Sequence, residues 1–435
     1  MNQIIIDTNT RESKVAIVEN DELVELYIEQ HKNKKITGNI YKGKVVNVLP
    51  GMQAAFVDIG INKNAFLYVK DAISKEMLND KSINLKELDI KDVVKAGQDI
   101  VVQVVKEPIG SKGPKVTKHI TLSGKYTVLM PYSDYIGIST KIKDDEKRER
   151  LRNLAQKYRP KDIGVIMRTC SEDIDDEELK LDIEILVEAL DTIENNKKLG
   201  IGSKLVYKEP DLVEKIVRDF VGKRTDKIIV NNKHDYENIK KLLKKISLQN
   251  NLNIEYIEDT HDMFGHFNLD NQIKIALDRE VHLKSGGYLV IDETEALTAI
   301  DINTGKYIGD TSLGNTVLNT NLEATVEIAK QLRLRNIGGI IIIDFIDMKN
   351  KKDNVKVLNK LKSELKKDRT KTTVYGMTKL GLVEMTRKKE EKSLRDNLLT
   401  NCPSCSGSGV VLSEEFVLSK IEKEVKRAKY HTSSE

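Results

Sequence analysis

The 435-residue sequence predicts a multidomain chain mixing α/β and all-β parts, and three observations carry that expectation. First, at roughly 150 residues per domain the length allows about three domains. Second, the short strand-like runs between 36 and 118 are punctuated by Gly43, Gly51 and Gly60, as in a small closed barrel that bends at glycines. Third, strand-length apolar runs alternate with helical periods between 279 and 400, the pattern of an α/β sheet. The composition, 39% hydrophobic and 32% charged, supports several cores and argues against wholesale disorder.

From the N-terminus, residues 3–7, 13–18 and 22–27 are expected as strands of a small antiparallel sheet, the last two joined by a turn at Glu19-Asn20-Asp21. The barrel strands are expected at 40–49, 54–59, 65–69 and 99–105, with 71–96 a charged loop or short helix inserted among them. Leu179, Ile183, Leu186, Val187, Leu190 and Ile193 then follow a helical period, and the acidic run 172–178 suits that helix's N-terminus. Residues 227–230, 236–246 and 254–257 form a β-α-β unit. The last α/β region places strands at 288–292, 297–302, 339–345 and 372–376, and helices at 323–334 and 355–366. A short amphipathic helix and a polar tail fill 411–435, and no internal repeat occurs.

No run of about 18 apolar residues appears, and the N-terminus lacks the basic-then-apolar layout of a signal, so a soluble, cytoplasmic protein is expected. The net charge is only +4, so a polyanion would have to be held by local patches. Candidates are 31–35 with Lys42 and Lys44, and Lys112, Lys115 and Lys118, although such runs also serve as solvated faces. Three cysteines in a chain this long argue against a disulfide framework.

The chemistry centres on two acids. Asp301 in Ala299-Ile300-Asp301-Ile302-Asn303 and Asp344 in Ile341-Ile342-Ile343-Asp344-Phe345 each lie in what reads as a buried strand, toward its C-terminal end. An ionised carboxylate left unpaired in such surroundings costs several kcal/mol, by rough estimate. Two such acids beside Asn303, with no nearby His or Cys, suit an oxygen-seeking cation such as Mg²⁺; capping or salt-bridging acids are the plainer reading. Asp347 is equally suited to capping a helix or joining the metal.

In the barrel, Phe56 and Phe66 fall on successive strands, and Lys112 lies in the glycine-bounded loop 110–113. An OB-type barrel grips single-stranded nucleic acid through exposed aromatics beside a basic groove, whereas strand aromatics are otherwise core. Near the C-terminus, Cys402-Pro403-Ser404-Cys405 supplies two thiolates, while a structural zinc needs four ligands. The chain has no second such pair, so the motif points to Zn²⁺ shared between two copies, with a redox pair or degenerate half-site as the other readings. Cys170 is expected as a buried apolar residue.

Residues 51–66, the Glu295–Asn303 run, Ile343-Asp344-Phe345-Ile346-Asp347-Met348 and Cys402–Cys405 occur in an order that resembles the ribonuclease E/G endoribonucleases, over roughly 1–409. The resemblance implies a ribonuclease-H-like fold (1–35 and 213–278) interrupted by an OB-fold barrel (36–118) and a 5′-sensor region (119–212). A deoxyribonuclease-I-like catalytic domain (279–400), a zinc link (401–410) and a short C-terminal helix and tail (411–435) follow. By the same resemblance Asp301 and Asp344 match the magnesium ligands, and Asn303 the polar residue that sets the catalytic geometry. Phe56, Phe66 and Lys112 match RNA-gripping positions. Gly124, Val128, Arg168 and Thr169 match the 5′-phosphate pocket; without the family Gly124 would be a turn, Val128 a core residue and Arg168 a surface charge. Cys402 and Cys405 match the thiolates of a zinc-linked homodimer. Two departures stand out. Lys371 occupies a pocket position where an arginine is usual, which weakens 5′-monophosphate preference because lysine lacks the bidentate fork. Most of the small C-terminal domain is also missing, so the expectation stops at a dimer.

The resulting expectation is a Mg²⁺-dependent, single-strand-specific endoribonuclease of ribosomal RNA maturation and messenger RNA turnover, with 5′-monophosphate sensing. A non-catalytic RNA-binding scaffold would have lost one of the two acids, and a zinc-ribbon chaperone module would repeat the cysteine motif; neither holds here.

Overall fold

The computed structural model describes residues 1–33, 35–74, 77, 88–108, 112–198, 200, 202–222, 225–246, 252–258, 262–305, 313–348, 350–389 and 392–431. The chain folds as two compact units, Met1–Gln272 and Ile273–Glu435.

The first unit holds three sheets. A five-stranded sheet runs in the order Asn253–Tyr256, Lys227–Val230, Asn2–Thr8, Glu12–Glu19, Glu22–Gln30. Asn2–Thr8 pairs antiparallel with Glu12–Glu19 and parallel with Lys227–Val230, so the N-terminal strands and the β-α-β unit build one sheet. Ile4 and Ile6 are buried with Val213, Ile216 and Val217 of the helix Leu212–Phe220.

The second sheet closes on itself. Ile40–Leu49, Ala54–Asp58, Ala65–Tyr68, Lys115–Thr117 and Asp99–Lys106 follow one another, and the last pairs back onto the first. The result is a closed five-strand barrel of OB-like order, with Lys204–Tyr207 added beside Ile40–Leu49. Gly43 lets the long strand bend, since a Cβ there would meet the Asp58 carbonyl at 2.7 Å. Lys115–Thr117, only three residues long, is too short to show a period in the sequence. The expected insertion shows helices Val69–Ala72 and Ile90–Val93; residues 75–76 and 78–87 lie outside the described residues. The third sheet, Ile136–Ile138, Gly164–Met167, Thr127–Met130 and Leu122–Ser123, shares a core with the helices Asp145–Tyr158 and Asp176–Lys198. Leu179, Ile183, Leu186 and Ile193 face that core as their spacing predicts.

The second unit is built on a six-stranded sheet: Glu280–His282, Tyr288–Glu293, Leu297–Asn303, Gly339–Asp344, Val383–Arg387 and Thr372–Met377. Ile300, Ile302, Ile341 and Ile343 pack with Ala324, Ile328 and Leu332 of the helix Leu313–Leu334, and with Val357, Leu361 and Leu365 of the helix Lys351–Leu365. The alternate positions Ala299, Asp301, Ile340 and Asp344 are exposed. The expectation of two acids inside doubly buried strands is therefore overturned. The strands alternate with period two, and their acids fall on the face the helices leave open. The helix Glu414–His431 is exposed along its described length. No helix among the described residues is long and apolar enough to cross a membrane.

Candidate acidic centre and nucleic-acid surfaces

The parallel register between Leu297–Asn303 and Gly339–Asp344 sets Asp301 directly beside Asp344. Neighbouring strands lie about 4.8 Å apart, so both carboxylates occupy one patch of the open face. Asn303 shares that face two residues on, and its Nδ2 donates to Asp301 Oδ2 at 2.9 Å. Partial burial holds the Asp344 carboxyl above its usual value, and the charges of Asp301 and Asp347 push it the same way. Among the described residues, no cation is a cause of the shift. The capping reading of Asp347 is overturned: Asn350 caps the helix Lys351–Leu365, accepting from Lys352 N at 3.0 Å. Asp347 instead lies exposed beside the pair.

A residue that sequence reasoning missed fixes the approach to this patch. Asn321 is fully buried, and its side chain takes both polar groups of Ile346, donating to the carbonyl at 2.8 Å and accepting from the N–H at 3.1 Å. The segment between Asp344 and Asp347 is thereby pinned. The available signal was four polar residues of one helix, Thr316, Thr320, Asn321 and Thr325, all buried, where a core helix normally presents aliphatic side chains.

In the barrel, Phe56 and Phe66 are direct cross-strand partners with ring centroids 6.2 Å apart, edge to face. Their neighbours Ala55, Val57, Ala65 and Leu67 are fully buried while the two rings are half-exposed, so the core reading fails. Lys112 is exposed, and the next residue, Gly113, packs so tightly on Asn64 that a Cβ would lie 1.9 Å from its carbonyl. That contact draws Lys112 toward the strand of Phe66. Of the expected loop around it, Gly110 and Ser111 lie outside the described residues.

In the third sheet of the first unit, Gly124 opens a tight turn, its N–H donating to the Thr127 carbonyl at 2.8 Å, and Val128 follows, half-buried, in Thr127–Met130. The turn wraps the carboxylate of Asp182, which accepts from the N–H groups of Lys125 (2.8 Å), Tyr126 (3.1 Å) and Thr127 (2.9 Å) and from the Thr127 hydroxyl (2.7 Å). A Cβ at Gly124 would meet this carboxylate at 2.6 Å, so glycine is required. Burial pushes the Asp182 carboxyl up, and the donors pull against it. Arg168 is no loose surface charge: it donates to the Gly124 carbonyl at 2.5 Å and to both oxygens of Asp219 at 3.3 and 3.2 Å. Burial works against the Asp219 carboxylate, yet Arg218 and Arg168 hold it below its usual value. Thr169 is exposed and its hydroxyl lies 2.8 Å from that of Ser139. Cys170 is also exposed, contrary to expectation; it sits in a surface turn, its thiol donating to the Lys125 carbonyl at 3.0 Å.

In the second unit, Lys371 is exposed where Thr372–Met377 begins. Cys402 is exposed and Cys405 half-buried. The backbone N–H groups of Cys405 and Ser404 lower the Cys402 thiol below its usual value, and Gly409 N donates to Cys405 Sγ at 3.4 Å. Among the described residues, no three His, Cys, Asp or Glu side chains group closely enough to hold a metal alone.

The sequence profile described as the Ribonuclease E/G family matches residues 121–390, spanning the Gly124 turn and both strand-borne acids. The chain belongs to the ribonuclease E/G family. Ribonuclease G of Salmonella typhimurium (strain SL1344) is 40% identical over 435 residues, which is 100% of this chain and 89% of that protein. Ribonuclease G of Haemophilus influenzae is 42% identical over 436 residues with the same coverage. Ribonuclease E of Nostoc sp. is 36% identical over 398 residues, 91% of this chain and 57% of that protein. Membership in the ribonuclease E/G family makes the chain an endoribonuclease, a hydrolase.

Proposed function

We propose that this ribonuclease E/G protein is a Mg²⁺-dependent, single-strand-specific endoribonuclease of RNA processing and decay that senses a 5′-monophosphate. The observation that carries the reading is the Asp301–Asp344 pair, side by side on an open face, with the charges of Asp301 and Asp347 both raising the Asp344 carboxyl. Such a pair needs a cation, and its hard oxygen donors suit Mg²⁺, which takes one or two carboxylates and fills its remaining positions with water or substrate oxygens. Asp301 and Asp344 would hold it, with Asn303 fixing the rotamer of Asp301. Bound Mg²⁺ supplies charge stabilisation at the scissile phosphate and lowers the pKa of the attacking water. The pinned segment ahead of Asp347 keeps the acids in register while RNA is turned over.

Single strands fit the outward Phe56–Phe66 pair, because unpaired bases have open faces for stacking. The 5′ reading rests on Arg168 and Thr169 beside the Gly124 turn: a guanidinium and a hydroxyl suit a terminal phosphate. The first unit's sheet order, three antiparallel strands with two more parallel to the first, supports a ribonuclease-H-like origin for that layer. Cys402, whose thiol the neighbouring backbone N–H groups hold below its usual value, and Cys405 would supply half of a tetrahedral Zn²⁺ site that a second copy would complete.

The test is cleavage of a 5′-monophosphorylated, A/U-rich single-stranded RNA with Mg²⁺ or EDTA, by the wild type and Asp301→Asn. Metal-dependent cutting that the substitution abolishes is expected. RNA binding without cutting under any divalent metal would leave only the scaffold.

A further inference from the structure

The open face of the second unit carries more than acids. The strand Glu280–His282 pairs with Tyr288–Glu293, which pairs with Leu297–Asn303, and the registers align two cross-strand rows. One row is Glu280, Val290, Asp301 and Asp344; the next, one step toward the strand ends, is His282, Tyr288 and Asn303. His282 is exposed and Tyr288 half-buried, and their rings meet edge to face with centroids 6.2 Å apart. Two strand spacings set His282 roughly 10 Å from Asn303 along the sheet, with Tyr288 between them.

This aromatic step is held rigidly to the acidic strand. The turn joining its two strands is closed by Leu283 N donating to the Gly287 carbonyl at 2.8 Å, and by Gly286 N donating to the Leu283 carbonyl at 3.0 Å. A Cβ on Gly287 would meet the Asn303 carbonyl at 2.8 Å, and one on Gly305 would meet the Gly286 carbonyl at 2.4 Å. Two backbones can approach this closely only through glycine. Ser285 N is further tied to the Glu323 carboxylate at 3.2 Å. Rigid mounting of rings beside a reacting centre is how a substrate group is held in a fixed pose.

We propose that His282 and Tyr288 form a stacking step for an RNA base adjacent to the scissile phosphate, fixing which phosphodiester lies over Asp301 and Asp344. The step rests on the endoribonuclease reading above and adds a substrate contact to it. Because every base offers a π-face, the contact holds register without reading sequence. A ring pair that merely braced the hairpin would act on stability alone.

The test is an abasic scan. A short 5′-monophosphorylated RNA with one preferred cut is made with a single abasic nucleotide at each position flanking that cut, and is cleaved by the wild type, His282→Ala, His282→Phe and Tyr288→Phe. One abasic position is expected to cost the wild type roughly 5- to 100-fold in kcat/KM. His282→Ala, at an exposed site, should cost a similar factor on intact RNA and make that abasic position silent. The ring-retaining variants should restore the sensitivity. If the wild type cuts but His282→Ala responds to every abasic position as the wild type does, the stacking step is overturned. A wild type that cuts no RNA overturns the endoribonuclease reading instead.

Discussion

Two partnered acids of the first unit and one exposed acid of the second stand in opposite environments. In the first, Asp182 is wrapped by three backbone N–H groups and a hydroxyl, and Asp219 is gripped by Arg168 and Arg218. In the second, Asp344 stands beside Asp301 and Asp347, and every contribution to its carboxyl raises it. A fully partnered acid is scaffold: its charge is spent holding a turn or an arginine in place. An acid left among like charges stores unsatisfied potential, which a cation can later relieve. The difference marks Asp344, rather than Asp182 or Asp219, as the candidate for a functional role.

The largest effect should come from removing charge where it is unsatisfied. With Asp344 holding the proposed Mg²⁺, Asp344→Asn is expected to lower cleavage by about 10³-fold, since a ligand to a catalytic metal carries several kcal/mol of transition-state stabilisation. The same change should leave stability at neutral pH unchanged or raised. The folded-state pKa of Asp344 is above its unfolded value, so ionised Asp344 opposes folding above that pKa, and the penalty vanishes as pH falls through it. Melting wild type and variant from neutral pH down into the carboxylate range should show the Asn protein's advantage closing on acidification. A variant that melts well below wild type at pH 7 would break the comparison.

Removing charge where it is satisfied should do the reverse. Asp182→Ala strands three backbone donors of the Gly124 turn, a loss of about 2–4 kcal/mol. Thermal unfolding of the first unit should move down. On RNA with a 5′-hydroxyl, cleavage should persist at temperatures where the variant stays folded, while preference for the 5′-monophosphate falls. Unchanged preference would separate the turn from 5′ sensing. For Asp219, held below its usual value, the linkage sign is opposite to that of Asp344: its pairing stabilises above the unfolded pKa and is lost as pH falls through the folded one.

How legible these environments are depends on where the partners lie in sequence. The barrel strands, the 176–198 helix and the acid-bearing strands announce themselves through local period and glycine spacing. The strand Val383–Arg387 does not, although Val383, Met385 and Arg387 are all buried in alternation. Its third inward residue is an arginine, tolerated because Asp368 Oδ2 accepts from Arg387 Nε at 2.7 Å and the Ile337 carbonyl accepts from Nη1 at 3.0 Å. A charged residue breaks the apolar pattern, and the acid that compensates it sits 19 positions away. The same blindness hid Asp182, an acid in mid-helix that reads as surface until a turn 55 residues earlier closes over it. At Asp301 the period-two alternation was present, but isoleucines on both sides made the run look buried on both faces.

The smallest effect concerns cations rather than acids, and it sharpens the contrast. Arg168 is already engaged by Asp219 and the Gly124 carbonyl, so a terminal phosphate would meet a guanidinium whose orientation is set but whose donors are divided. Lys371 is exposed, and what is fixed about it is its backbone: its carbonyl accepts from Lys388 N at 2.9 Å. Its ammonium is a point charge that attracts phosphate without imposing the angle of a forked pair. Lys371→Arg should therefore raise the ratio of 5′-monophosphate to 5′-hydroxyl cleavage by about 2- to 5-fold, the increment of one added charge-assisted hydrogen bond at a solvated site. Competition between the two RNAs in one reaction reads that ratio directly. An equal gain on both substrates would mean that position 371 attracts the RNA backbone generally, leaving 5′ discrimination to the Arg168 turn.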